Sequence, residues 1–82
     1  MSCSFYLYCP ETKQTVHIAE ESGSNGLRGA DYPTVLAAFA IAHQGKELRS
    51  IYSDSFEDFI EYTKWTHENV QEVFATLVGR PL

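Results

Sequence analysis

The stretch SFYLYCPETKQTVHIA, Ser4 to Ala19, decides the fold, because apolar and polar residues alternate on both sides of a turn signal. Before the turn, Cys3, Phe5, Leu7 and Cys9 alternate with Ser4, Tyr6 and Tyr8; after it, Val16 and Ile18 alternate with Thr15, His17 and Ala19. Successive side chains of a strand point to opposite faces, so a period of two marks a pair of half-buried strands. Pro10 fixes the first corner of a turn, and Pro10 to Lys13 closes the hairpin. That loop sets Leu7 against Val16 and Phe5 against Ile18 on the core face. On the other face Tyr6 stands opposite His17, and Tyr8 opposite Thr15.

Outward from the hairpin, residues 21–31 hold three glycines and little to bury, which predicts a flexible loop. A helix is expected over about 33–44: Pro33 suits its first turn, Gly45 suits the position just past its end, and Leu36, Phe39, Ala40 and His43 recur at helical spacing beside Val35 and Ala42. Residues 47–53 read as a short strand, with Leu48, Ser50 and Tyr52 alternating with Arg49 and Ile51. The competing reading, a resumed helix, is disfavoured because Gly45 interrupts and Ser53-Asp54-Ser55 opens a new start signal. Phe56, Phe59, Ile60, Thr63, His67, Val70, Phe74 and Leu77 then predict a helix over about 55–78, with Ser55 and Asp58 as a weak capping box. Thr66 is a candidate second cap, so a break near Trp65–Asn69 is the variant of that helix.

These elements define an α+β class, ββαβα, as one domain over residues 1–82. A two- to three-stranded sheet containing the antiparallel hairpin carries both helices on one face. A right-handed crossover lays the third strand beside the first, in the order 2-1-3. The opposite face is then left uncovered, and it bears Tyr6, Tyr8 and His17.

Composition narrows the function classes. Eighty-two residues cannot build two cores, yet 44% apolar and 13% aromatic content lets one core close without disulfides. Eleven acidic against six basic residues give a net charge of −5, which disfavours nucleic acid as a partner because phosphate neutralisation dominates that affinity. Acidic membrane surfaces are disfavoured for the same reason, and no apolar run reaches the length of a spanning segment. With only Cys3 and Cys9 and no basic, apolar leader, the expected compartment is the cytoplasm, with reduced thiols.

No motif carries catalysis. Cys3 and Cys9 lie on one strand, roughly 20 Å apart at the usual rise, too far to bridge or to share a metal. His17, His43 and His67 fall on separate elements without zinc-ligand spacing, so neither metal nor cofactor is expected. Gly23–Gly29 matches neither a dinucleotide fingerprint nor a P-loop; Gly26–Gly29 has the G-x-x-G spacing of KH loops but follows a hairpin rather than joining helices. Its serines lie in no G-x-S-x-G context, and an enzyme is the less expected class.

Two surfaces are left as partner-binding candidates. Tyr6, Tyr8 and His17 pair apolar rings with polar tips, as interfaces do, although such pairs also simply stabilise a sheet face. Glu57, Glu61, Glu68 and Glu72 form an acidic ridge on the expected last helix, either an ordinary solvated face or a contact for a basic partner. The expected function is therefore that of a small acidic cytoplasmic binding or regulatory protein, such as an inhibitor or assembly factor, acting through protein–protein contacts. A second copy is one candidate partner, covering the aromatic face in a homodimer. The alternative is a small ligand-binding domain or enzyme using Cys9, His17 or the Gly23–Gly29 loop.

Overall fold

The structure, a computed structural model, describes residues 2–23, 26–29, 32–52 and 61–82. It is an α+β domain with seven elements in the order β1 (Ser2–Cys9), β2 (Gln14–Ser22), β3 (Gly26–Gly29), α1 (Pro33–Ala42), β4 (Arg49–Tyr52), β5 (Thr63–Trp65) and α2 (Val70–Val78). The sheet has five strands in the order β3-β2-β1-β4, and β5 adds to β2 beside β3. The hairpin β1–β2 is antiparallel, and its turn closes through the Lys13 amide donating to the Cys9 carbonyl at 3.0 Å. Lys13 itself adopts φ +58°, a left-handed conformation that turns the chain into β2.

The hairpin register pairs Leu7 with Val16, Tyr6 with His17 and Tyr8 with Thr15, but Phe5 pairs with Ala19 rather than Ile18. The register slips between Phe5 and Tyr6, so β2 carries one extra residue at a β-bulge. Beyond the bulge the strict alternation read from Val16 and Ile18 no longer fixes which residues oppose each other. β4 runs antiparallel to β1 on its other edge, with Tyr6 opposite Ile51 and Tyr8 opposite Arg49.

The glycine-rich stretch is a strand rather than a loop through Gly26–Gly29: Glu20 pairs with Arg28 and Glu21 with Leu27. All four β3 residues are exposed, so backbone pairing and the Arg28–Glu20 ion pair at 3.0 Å, not burial, define this strand.

The largest correction concerns the last helix. Thr63–Trp65 is a strand, parallel to Gln14–Val16 of β2, and the helix starts only at Val70. The expected helical stripe through Thr63 and His67 leaves Trp65 off its buried side. In the fold Trp65 is only 2% exposed, opposite Val16, and its indole Nε1 donates to Gln14 Oε1. Burying the one tryptophan against the sheet outweighs the weak helical preference of Thr63 and Trp65. The Thr63 amide donates to the Lys13 carbonyl at 2.9 Å and anchors the strand. The break at Trp65–Asn69 is built by reciprocal bonds: Thr66 Oγ1 accepts from the Asn69 amide at 3.3 Å, and Asn69 Oδ1 accepts from the Thr66 amide at 2.8 Å. Ser55, Asp58 and the rest of the expected first half of that helix, through residue 60, lie outside the described residues.

The core lies between the sheet and the helices. Val16 and Trp65 from the strands meet Val35, Ala38 and Phe39 of α1 and Val70 and Phe74 of α2. Phe39 and Trp65 pack edge to face with centroids 5.3 Å apart. On α1 the inward residues are Val35, Ala38, Phe39 and, just past the helix, His43, whereas Ala40 is exposed. No helix among the described residues is long and apolar enough to cross a membrane.

Candidate functional site

The strand registers place Tyr6, Tyr8, Thr15, His17, Arg49 and Lys64 on one face of the sheet, because laterally paired residues share a face. Leu7, Val16 and Trp65 occupy the other face, beneath the helices. The aromatic residues of the outer face form two contacting pairs. Tyr6 meets His17 edge-on at 5.3 Å between centroids, and Tyr8 meets Tyr62 edge-on at 5.9 Å. Lys64 Nζ lies 5.5 Å from the Tyr6 ring centre and Lys13 Nζ 5.3 Å from that of Tyr62, both cation–π contacts.

This face is therefore not bare. Tyr62 and Lys64, which follow β4 in sequence, lean on the rings of β1, so Tyr6, Tyr8 and His17 are half-buried. Basic residues border its rings, with Glu20 beside His17 and Glu47 beside Arg49. Lys13, Arg49 and Lys64 are three of the six basic residues. Arg49 is held above its ordinary pKa by a hydrogen bond with Tyr8 and by Glu47, whose carboxylate lies 2.6 Å from its guanidinium. Lys13 and Lys64 have no carboxylate partner among the described residues.

A pocket opens where the outer edge of β2 changes partner. β5 pairs with Gln14–Val16 and β3 with Ala19–Ser22, which leaves His17 and Ile18, at the bulge, between the two. The pocket there has a volume of about 160 Å³. Buried Val16, Val35 and Trp65 form its floor, and exposed Tyr32, Lys64 and His67 its rim. Tyr32 and His67 stack nearly parallel, with centroids 4.1 Å apart and planes at 14°. His17 also lines this pocket, and its Nε2 is buried without a hydrogen-bond partner among the described residues. Among the described residues the acid that approaches it is Glu20, 3.8 Å from that nitrogen.

The other sequence candidates are dispersed. Cys9 is wholly buried at the end of β1, and both cysteines are free. The glycines from Gly26 to Gly29 belong to β3, away from Cys9 in the register. The acidic ridge is not formed: Glu61 precedes β5, Glu68 lies in the turn before α2 and Glu72 is in the first turn of α2, while Glu57 is outside the described residues. Among the described residues no group of three His, Cys, Asp or Glu converges as metal ligands. His43 is built into the interior, and its lowered pKa, caused first by burial, favours the neutral ring.

Tyr32, Tyr62, Lys64 and His67 are the site residues that the sequence alone missed. Their signal was hidden because a helix through 63–67 separates residues that a strand and turn bring to the sheet. The chain matches no protein-family model, no curated protein and no solved structure.

Proposed function

We propose that this chain is a small cytoplasmic binding protein that regulates or assembles a partner through protein–protein contacts. The contact surface is the sheet face of Tyr6, Tyr8 and His17. One observation carries this reading: two aromatic pairs, Tyr6–His17 and Tyr8–Tyr62, are bordered by Lys13, Arg49 and Lys64, which gathers three of the six basic residues at one face of a chain of net charge −5. Aromatic and arginine side chains dominate binding energy at interfaces, and complementary charge sets orientation and encounter rate. The fitting partner surface is acidic with apolar spots between its charges. Glu61, Glu68 and Glu72 keep a lesser role, as scattered charges rather than one docking ridge.

A face-to-face homodimer brings the three cations of each copy into one interface, so this surface favours a different protein over a second copy. The test is capture from native lysate by the wild type and by Tyr6→Ala/Tyr8→Ala, with the fold of the variant checked by circular dichroism. Loss of a specific acidic partner, with binding that weakens as salt rises, supports the reading. The same captured proteins for a folded double variant sink it. Light scattering across concentration separates self-association from a heterologous partner.

A further inference from the structure

We propose that the pocket at the β2 bulge is a binding site for a small monocyclic aromatic acid, a ligand with one ring and one carboxylate. Size comes first: its volume of about 160 Å³ matches the class of cavity, about 150 Å³, that admits a single benzene ring. The lining comes second. Trp65 and Val35 make an apolar floor, and the Tyr32–His67 stack offers a flat aromatic wall beside it. A ring fits such a slot by offset or edge-to-face packing, which aromatic pairs favour. Charge comes third. Among the described residues Lys64 is the only Lys, Arg, Asp or Glu in the lining, and it has no carboxylate partner among them.

A carboxylate at the rim supplies that partner while the ring stays on the floor. A few polar groups at the edge of a mainly apolar concavity are the usual construction of a small-molecule site. His17 adds a second polar element, since its buried Nε2 lacks a hydrogen-bond partner among the described residues in the wall of the same pocket. The site adjoins the protein-contact face and shares His17 and Lys64 with it, but neither Tyr6 nor Tyr8 lines it.

The test is a nuclear magnetic resonance titration of the isotope-labelled full chain with benzoate, benzyl alcohol and acetate as probes. Benzoate is expected to saturate with a dissociation constant on the order of 1 mM, the range open to a ligand of so few atoms. The shifts should centre on the amides of Val16, His17 and Lys64–His67 and on the Trp65 indole N–H. Benzyl alcohol should bind at least about fivefold more weakly, and acetate should give no saturable shift. Lys64→Met, which keeps the apolar stem, should reduce benzoate to the affinity of benzyl alcohol; Tyr32→Ala should weaken both. Three results overturn the proposal in a chain that remains folded. They are no saturable shift with benzoate up to about 50 mM, equal affinity for benzoate and benzyl alcohol, or benzoate affinity unchanged by Lys64→Met. None of these bears on the lysate capture that tests the sheet face.

Discussion

The Thr12 hydroxyl and His43 Nε2 lie 2.8 Å apart, joining the hairpin turn to the end of α1 across 31 residues of sequence. The other ring nitrogen, Nδ1, is 2.8 Å from the Phe39 carbonyl, which can only accept. Nδ1 therefore carries the proton, and Nε2 of the neutral ring accepts from Thr12. With His43 only 2% exposed, this bond satisfies a nitrogen that water does not reach. Thr12→Val keeps the shape and deletes the donor, leaving Nε2 unsatisfied. We expect a loss of about 1–3 kcal/mol in urea unfolding. An unchanged midpoint would show that the bond adds nothing to stability.

The same histidine sets a pH dependence. Burial, with Lys46 nearby adding to it, lowers the His43 pKa below the ordinary 6.5, against the opposing pull of the Phe39 carbonyl and Glu11. The unfolded chain then binds the proton more readily than the native one. Stability from neutral His43 is complete above pH 6.5 and declines as pH falls below it toward the native pKa. Glu11, held below its ordinary range by Lys46, contributes in a lower window: its share is present above 4.5 and is lost on further acidification. Urea midpoints followed from about pH 8 down to about pH 2 should fall in two stages. His43→Gln should flatten the upper stage and Glu11→Gln the lower.

Trp65 is the side chain on which the strand β5 depends. It packs edge-on to Phe39, lies beside Val16 and donates to Gln14. Trp65→Ala should cost about 3–5 kcal/mol by cavity formation and lost burial, enough to unfold much of a small domain. Gln14→Leu removes only the acceptor and should cost about 1–3 kcal/mol, since the indole N–H is then buried without a partner. Thermal unfolding followed by circular dichroism ranks the two; a larger effect for Gln14→Leu would contradict this account.

Gly79 ends α2 in the left-handed region at φ +86°, where its amide donates to the Ala75 carbonyl at 2.8 Å. No neighbouring atom lies where a Cβ would be added, so conformational strain is the whole effect of a small side chain. Gly79→Ala should lose about 1 kcal/mol, and Gly79→Asn less, because Asn tolerates this conformation better. Chemical denaturation of the three proteins tests the order.

The hairpin was legible because local alternation and a proline-started turn agree, and its Leu7–Val16 and Tyr6–His17 pairs follow from the sequence. The strand over Arg49–Tyr52 and its place beside β1 follow from pattern and crossover handedness. The bulge at Ile18 was not legible, because one inserted residue leaves no periodic mark of its own. Nor was the exposed pairing of β3, where backbone hydrogen bonds rather than side-chain pattern make the strand. Thr63–Trp65 was decided wholly by tertiary structure: three residues that fit a helical stripe become a strand because Trp65 gains more by burial against Val16 and Phe39. The candidate sites divide in the same way. Tyr6, Tyr8 and His17 share a face by the period of a strand, which sequence alone specifies. Tyr62, Lys64, Tyr32 and His67 reach them, or the pocket beside them, only through long-range packing, which no local pattern encodes.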